Sequence, residues 1–190
     1  MKMAKAKVLT KDEARRVLRI AETGNHGQRD KLALALSILG GMRVGEIAAL
    51  KFNDVRGIDG KAVEVVHLTK HQTKGNRSRR VFLSDELRKI INGFLSYSMN
   101  VPDAAPLIAS SRTRQHMSNV TLSMRIKSIY RAAGIDTSSH AGRRTFATRK
   151  NELGIGMATI QQLMGHSSIQ TTALYCYVSD EQLRNAANAG

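Results

Sequence analysis

The chain has 190 residues, 42% of them apolar, and no low-complexity segment, which suits one folded domain and excludes a disordered chain. Thirty Lys and Arg against fifteen Asp and Glu give a net charge of +15, so a polyanion, above all nucleic acid, is the expected partner. Aromatic residues make up only 4%, which speaks against base stacking on single strands and favours phosphate contacts with duplex DNA.

The sequence also bears on location. No apolar run approaches the roughly 20 residues that a membrane helix needs, and the basic start MKMAKAK lacks the apolar segment of a signal peptide. The single Cys176 excludes an internal disulfide and is typical of a reducing compartment. We therefore expect a cytoplasmic, nucleoid-associated protein without membrane contact.

The N-terminal part of the chain shows two helical patterns. Thr10 and Glu13 have the spacing of a capping box, and the apolar residues that follow recur at helical intervals opposite a basic face. Residues 29–39 are apolar on nearly every side, which predicts a buried helix that ends at the glycine pair 40–41.

Arg43 directly precedes a short helix predicted over residues 44–50. Two interpretations of Arg43 stay open on the residues alone. It is either a surface residue at a helix start, where a cation gains nothing from the dipole, or a cation directed at an anion held near that helix end.

The pattern changes to alternation after Val55, which predicts a small antiparallel sheet of two or three strands. A strand run ends at Leu68, and a second one covers residues 79–83. The turn between them is basic and contains Lys70, His71, Lys74, Arg77, Arg79 and Arg80. The positive charges of such a turn repel one another unless a polyanion lies against them. The alternative interpretation is a solvated loop without a bound partner.

The second half of the chain is predicted to be mainly helical. Helices are expected over residues 84–98, 122–133, 140–153, 158–164, 170–175 and 179–187, the last with a capping box that begins at Ser179. Gly134 suits the position after a helix end. Residues 99–116 hold both prolines and are expected to form a surface loop or a hinge.

Five short motifs follow one another along the chain, and none is specific alone. They are Gly41-Met-Arg-Val-Gly-Glu46, Thr73-Lys-Gly-Asn-Arg77, His140-x-x-Arg143, Gly165-His166, and Tyr175 nine residues after His166. In this order they resemble the catalytic domain of the tyrosine recombinases, the family of phage integrases, Xer-type resolvases and fimbrial-switch inverting recombinases. The resemblance runs from about residue 8 to about residue 182 and implies an α+β, mainly α fold, a helical bundle with a small antiparallel three-stranded sheet.

The resemblance implies a set of roles in cutting and rejoining a phosphodiester. Tyr175 would be the nucleophile of a 3′-phosphotyrosine link, and Tyr177 is its rival within the chain. The remaining catalytic residues would be the phosphate-clamping Arg43 and Arg143, the histidine His140, the hydrogen-bond donor His166 to the same phosphate oxygens, and the general acid Lys74, for which Lys70 competes. Glu46 matches an acidic supporting position. His140 precedes Arg143 by one helical turn, so the two could share a face.

The chemistry fits these residue types. A phenol is neutral at pH 7 and needs help with its proton, whereas a guanidinium stays charged and offers two bonds to a phosphoryl group. Metal-ligand motifs are absent from the sequence, and arginines beside the histidines would repel a dication. We therefore expect neither a metal nor another cofactor.

The expected partner is double-stranded DNA. Lys70, Arg77, Arg79, Arg80 and Arg144 are the predicted DNA contacts outside the catalytic set, and Arg144 is also the alternative clamp. The resemblance implies a homo-oligomer on DNA, a tetrameric synapse, with a monomer as the alternative off DNA. Residues 1–190 are expected to be a single catalytic domain that lacks the family's N-terminal core-binding domain, either as a stand-alone recombinase or as a fragment.

Two alternative functions stay open. The same residues would serve a type IB topoisomerase-like nicking and closing activity without strand exchange. A DNA-binding regulator could keep the fold without turnover, although the complete set of six candidate catalytic residues speaks against it.

Overall fold

A computed structural model describes residues 6–175, 178 and 180–188 of the chain. Within these residues the helices are α1 (Lys11–Glu22), α2 (Gly27–Ile38), α3 (Val44–Ala49), α4 (Phe52–Val55), α5 (Asp85–Ser96), α6 (Asn119–Ala132), α7 (Ala141–Glu152), α8 (Met157–Met164), α9 (Ile169–Ala173) and α10 (Asp180–Asn188). The strands are β1 (Val65–Leu68) and β2 (Arg79–Phe82), and a 3₁₀ turn covers Lys70–Gln72. None of the described helices is both long and apolar enough to cross a bilayer.

Helix α2 lies at the centre of the bundle. As predicted, it is buried on nearly every side, and α1, α3, α5, α6 and α7 pack around it. Helix α1 begins at the predicted capping box, in which the Thr10 hydroxyl accepts from the backbone N–H of Glu13 at 3.1 Å and the Glu13 carboxylate accepts from the Thr10 N–H at 3.0 Å. These two local predictions are confirmed.

The sheet is smaller than expected. Strands β1 and β2 pair antiparallel, with Val65 opposite Phe82 and Leu68 opposite Arg79, and the described residues contain no third strand. The prediction of three strands is therefore wrong. The reason is local, because residues 52–55 form helix α4 and the turn that follows leaves only one isolated bridge, between Arg56 and Ala62.

The second half is helical, as expected. Gly134 has a φ of +70° directly after the end of α6, which is the predicted helix stop. Cys176, Tyr177 and Ser179 lie outside the described residues, so the rival nucleophile and the predicted capping box at Ser179 do as well.

The buried apolar side chains among the described residues of the bundle form two clusters. The large one centres on α2, while a small second cluster joins Phe146 and Ala147 of α7 to Ile160 and Met164 of α8. The half-buried ring of Tyr175 packs against this second cluster. The position of Tyr175 therefore depends on the packing of α8 against α7.

Candidate active site

A cleft lies where the start of α3, the loop before β2, the start of α7 and the end of α8 meet. It consists of two adjoining hollows of about 430 and 540 Å³, both of which are lined by Arg43, Thr73, Lys74 and His166. The larger hollow is also lined by His140, Arg143 and Tyr175. All six predicted catalytic side chains, which come from distant parts of the sequence, therefore line one cleft.

Arg43 occupies the N-cap of α3 in an extended backbone conformation. Its N–H donates to Glu46 at 2.8 Å, and its guanidinium donates to the Glu46 carboxylate at 2.8 Å and to the carbonyl oxygen of Gly165 at 3.2 Å. The side chain remains 29% exposed. Since a guanidinium has five N–H donors, Arg43 retains donors for an anion in the cleft.

Arg143 projects from α7 and is almost fully buried. Its guanidinium donates to the carbonyl oxygens of Gly41 and Met164. Gly41 has a φ of +62°, and a Cβ there would collide with the ring of Phe146, so only glycine can present its carbonyl in this way. Burial, and after it the charge of Arg43, lowers the pKa of Arg143 to about 9, which still leaves a cation at neutral pH.

Glu46 is the buried acidic partner of these cations, with 1% of its side chain exposed. Besides Arg43, it accepts from Arg79 through both carboxylate oxygens, at 3.1 and 2.7 Å. Burial raises the pKa of Glu46, but the hydrogen bonds and charge of Arg79 outweigh that effect and lower it below its usual value. Glu46 thus makes the contacts that an orienting residue needs.

Arg79 does not lie where the basic hairpin led us to expect. Its side chain is only 9% exposed, because it is enclosed between Glu46 and the carbonyl oxygen of Leu163, to which it donates at 2.9 Å. The predicted DNA contact assumed an exposed guanidinium, so we assign Arg79 to positioning instead. Strand alternation could have revealed this, since Arg79 lies on the same face of β2 as the buried Val81.

Three arginines converge on the C-terminal end of α8. Arg79, Arg143 and Arg43 donate to the successive carbonyl oxygens of Leu163, Met164 and Gly165. Helix C-terminal carbonyls carry partial negative charge and lack partners within the helix, so guanidinium groups stabilise them. These bonds fix Arg43 and Arg143 relative to the turn that carries His166.

Gly165 makes that turn possible. It has a φ of +60°, and a Cβ at this position would collide with the side chain of Arg79. The sequence shows Gly165 as part of a motif but does not reveal this role, because the contact depends on the distant residue Arg79.

His166 and Tyr175 lie side by side. Their rings stack with centroids 5.7 Å apart and planes 23° from parallel. Burial, followed by the charges of Arg143 and Arg43, lowers the pKa of His166 to about 4, so its imidazole is neutral at neutral pH. Nδ1 of His166 lies 2.9 Å from the hydroxyl oxygen of the fully buried Thr172.

Tyr175 follows the end of α9 in a turn. Its N–H donates to the carbonyl oxygen of Thr172 at 2.9 Å, and its own carbonyl oxygen accepts from the Thr148 hydroxyl at 3.3 Å. The guanidinium carbon of Arg144 lies 6.0 Å from the centre of the tyrosine ring. Arg144, predicted as a DNA contact and as the alternative clamp, is half-buried beside the proposed nucleophile.

The remaining cations lie nearer to solvent. Lys74 is exposed in the loop before β2 and lines both hollows, whereas Lys70 lines neither. His140 is exposed at the start of α7. Arg77 and Arg80 are exposed as predicted, and the Arg80 guanidinium lies 5.5 Å from the centre of the Phe82 ring.

The cleft is electrostatically suited to an anion. Glu46 is the only carboxylate among the described residues that line it, against the cations Arg43, Lys74, Arg77, Arg79 and Arg143. The described part of the chain contains no cluster of three or more His, Cys, Asp or Glu residues that could hold a metal ion. A phosphate group is the chemical species that such an arrangement binds well.

Comparison with known proteins points in the same direction. The sequence model described as the phage integrase family matches residues 7–182. The chain is 31% identical over 183 residues to the tyrosine recombinase XerA of Pyrococcus horikoshii, an alignment that covers 95% of this chain and 60% of that protein. The chain thus spans somewhat over half the length of this relative.

Solved structures share the fold. The crystal structure of XerA recombinase superposes with a TM-score of 0.75 at 26% identity, covering 99% of this chain and 65% of that one. The structure of XerH site-specific recombinase bound to a palindromic difH substrate, a post-cleavage complex, gives a TM-score of 0.74 at 21% identity and covers 99% of this chain and 54% of that one. The expected fold class, a mainly helical α+β domain, is confirmed.

Proposed function

This chain belongs to the phage integrase family, and from this premise we propose that it cleaves and rejoins duplex DNA through a 3′-phosphotyrosine intermediate at Tyr175. The relative from Pyrococcus horikoshii is called a tyrosine recombinase, and the solved XerH structure holds its difH substrate in a post-cleavage complex. We propose DNA as the substrate here too, and a cytoplasmic protein that acts at the nucleoid.

One observation carries the proposal. The two guanidinium groups, the neutral imidazole of His166, the exposed Lys74 and the phenol of Tyr175 line a single cleft of mostly positive charge. A phosphodiester placed there would meet donors for its non-bridging oxygens, a nucleophile and an acid together.

We propose one role for each of these groups. The Tyr175 oxygen attacks the phosphorus atom, and the bond from phosphorus to the 5′-oxygen breaks. Arg43, Arg143 and His166 donate to the non-bridging oxygens, where negative charge develops. His140, whose exposed imidazole lines the same hollow as Tyr175, accepts the proton of the phenol. Lys74 donates a proton to the departing 5′-oxygen.

Covalent capture tests the proposal without knowledge of the natural site. The protein is mixed, in the presence of a chelator, with a pool of randomised duplexes that each carry a nick, and complexes that survive denaturant are isolated. The nick lets the short fragment with the freed 5′-hydroxyl diffuse away, so an adduct accumulates. DNA binding without any adduct would indicate a regulator instead of an enzyme.

The captured DNA then separates the two enzyme classes. A recombinase exchanges strands between two copies of the captured site, which a two-site inversion or excision assay detects. Relaxation of supercoiled DNA without exchange would indicate a topoisomerase-like activity and would contradict site-specific recombination.

Lys74→Ala should lose cleavage of ordinary DNA but recover it on a substrate with sulfur in place of the bridging 5′-oxygen. A thiolate leaves without a proton, so the general acid is no longer needed. Initial rates of adduct formation on the two substrates measure the rescue. Lys70→Ala is the matched control, since Lys70 lies outside the lining of both hollows, and sulfur-specific rescue of Lys70→Ala instead would transfer the role to Lys70.

Binding to random duplex should depend steeply on salt. If roughly six to eight phosphates are neutralised, log K falls with log salt at a slope of about −5 to −7, because condensed counterions are released. The exposed Lys70, Arg77 and Arg80 are candidate phosphate contacts of the hairpin. Fluorescence anisotropy over a salt series gives the slope, and salt-insensitive binding would contradict this interpretation.

We propose that α10 packs onto a neighbouring protomer in a tetrameric synapse on DNA. Its residue Leu183 is 58% exposed, and Val178 just before the helix is 50% exposed. Deletion of residues 179–190 should therefore leave the binding of one protomer intact while abolishing assembly on a complete site. Gel-shift stoichiometry measures this, and a truncated protein that still assembles and recombines normally would refute the assignment.

A further inference from the structure

The side chain of Thr172 makes a hydrogen bond with His166, one of the proposed catalytic residues. Thr172 lies on α9, its side chain is fully buried, and its hydroxyl oxygen is 2.9 Å from Nδ1 of His166. This contact is the only hydrogen bond of the Thr172 side chain in the described part of the chain. A threonine within a helix often donates instead to the carbonyl four residues earlier, so the contact with His166 replaces the usual local partner.

The protonation of His166 restricts what this bond can be. At neutral pH the imidazole carries one N–H and one lone pair, because burial and the nearby charges of Arg143 and Arg43 lower the pKa of His166 to about 4. Either Nδ1 donates to the Thr172 oxygen and Nε2 keeps the lone pair, or the hydroxyl donates to Nδ1 and Nε2 carries the proton. The first tautomer therefore presents a hydrogen-bond acceptor to the cleft at Nε2, and the second presents a hydrogen-bond donor there.

We propose that Thr172 is a positioning residue that donates its hydroxyl proton to Nδ1 of His166 and thereby holds the imidazole as the Nε2–H tautomer. His166 lines both hollows, and with Nδ1 bound to Thr172 its other ring nitrogen is the one available there. An Nε2–H donates to a phosphate oxygen, whereas an Nε2 lone pair repels it. The tautomer has a ground of its own, because the buried hydroxyl proton of Thr172 is paired only if it donates to Nδ1, its sole side-chain partner among the described residues. The consequence for catalysis rests on the proposed function, but the tautomer itself does not.

Thr172 also holds the nucleophile. Its carbonyl oxygen accepts the N–H of Tyr175 at 2.9 Å, and the rings of Tyr175 and His166 stack at 5.7 Å. The side chain of one residue therefore orients the histidine while its backbone orients the tyrosine. The direction of the His166 N–H is therefore coupled to the position of the Tyr175 phenol.

The tautomer can be measured without DNA. Long-range nitrogen–proton correlation spectra at neutral pH distinguish the two forms, and the signal that disappears in His166→Gln identifies His166. We expect the Nε2–H form in the wild type and in Thr172→Ser, and a shift toward the Nδ1–H form in Thr172→Val. Thr145→Val is the control, because it removes another fully buried hydroxyl, one that bonds to Leu9 and Ala141 and not to the cleft.

An Nδ1–H tautomer in the wild type would overturn the proposal, and this result needs no variant to fold. So would a full Nε2–H population in Thr172→Val. The rate of adduct formation is the second readout. Thr172→Val should be slower by the factor by which its measured Nε2–H fraction falls, up to a limit of about 10²-fold, since losing a preorganised donor altogether costs about 10²–10³.

Thr172→Ser should restore the rate to within about threefold of the wild type, because the hydroxyl is the group required. A wild-type protein that forms no adduct would contradict the proposed function while the tautomer measurement still stands. A wild-type protein that forms adducts, with a Thr172→Val variant that changes tautomer at an unchanged rate, would instead overturn the positioning role alone.

Discussion

Replacement of Tyr175 by phenylalanine is expected to abolish the covalent protein–DNA adduct completely. The change removes only the phenolic oxygen, so the ring can still stack on His166 and pack against the small cluster of α7 and α8. Without that oxygen no phosphotyrosine can form, and loss of a nucleophile of this kind costs on the order of 10⁶ in rate. Denaturing gels after incubation with nicked duplex measure the adduct.

The other tyrosines supply the controls. Tyr177→Phe and the exposed Tyr97→Phe should both form adduct at the wild-type level, because the proposed mechanism uses the oxygen of Tyr175 alone. An adduct that persists in Tyr175→Phe and disappears in Tyr177→Phe would move the nucleophile by two residues.

Arg43→Ala and Arg143→Ala should each lower the rate of cleavage by about 10² or more, while DNA affinity falls much less. In the proposed mechanism both cations act where charge develops on the phosphate, whereas many other cations of the chain would hold the duplex. Cleavage rates at saturating protein, compared with dissociation constants from anisotropy, separate the two effects. Proportional losses of binding and cleavage would show that these arginines only dock the DNA.

Arg43→Ala tests the proposed role in cleavage more directly than Arg143→Ala does. Arg143→Ala removes the partner of the Gly41 and Met164 carbonyl oxygens in a buried place, so part of its effect comes from disturbed structure. Arg43 is partly exposed, and Glu46 keeps Arg79 as a partner when Arg43 is removed. Arg80→Ala serves as the control, since its loss from the exposed hairpin should weaken binding and leave the cleavage step unchanged.

Local patterns predicted the helical frame well. The capping box at Thr10, the buried helix α2 and the stop at Gly134 depend on neighbours within a few residues, so the sequence carries their signal directly. The family resemblance is confirmed, and its motifs named the residues that the structure brings together in one cleft.

The third strand was wrong for a local reason, whereas the place of Arg79 and the features that were missed depend on distant partners. The sequence pattern assigns Arg79 to an exposed basic hairpin, but its carboxylate partner Glu46 lies 33 residues earlier in the chain. The three arginines at the end of α8 bind backbone carbonyls, which no side-chain pattern reveals. Thr172 was overlooked because its importance appears only once its burial and the state of His166 are known.

The proposed mechanism depends most on a covalent link between Tyr175 and DNA. Mass spectrometry of the captured wild-type adduct, after nuclease and trypsin treatment, tests it most directly. The relevant tryptic peptide covers residues 151–184 and contains both Tyr175 and Tyr177, so fragmentation must place the nucleotide on one of them. We predict a nucleotide joined through its 3′-phosphate to the oxygen of Tyr175, and a nucleotide on any other residue, or a 5′-linkage, would contradict the account.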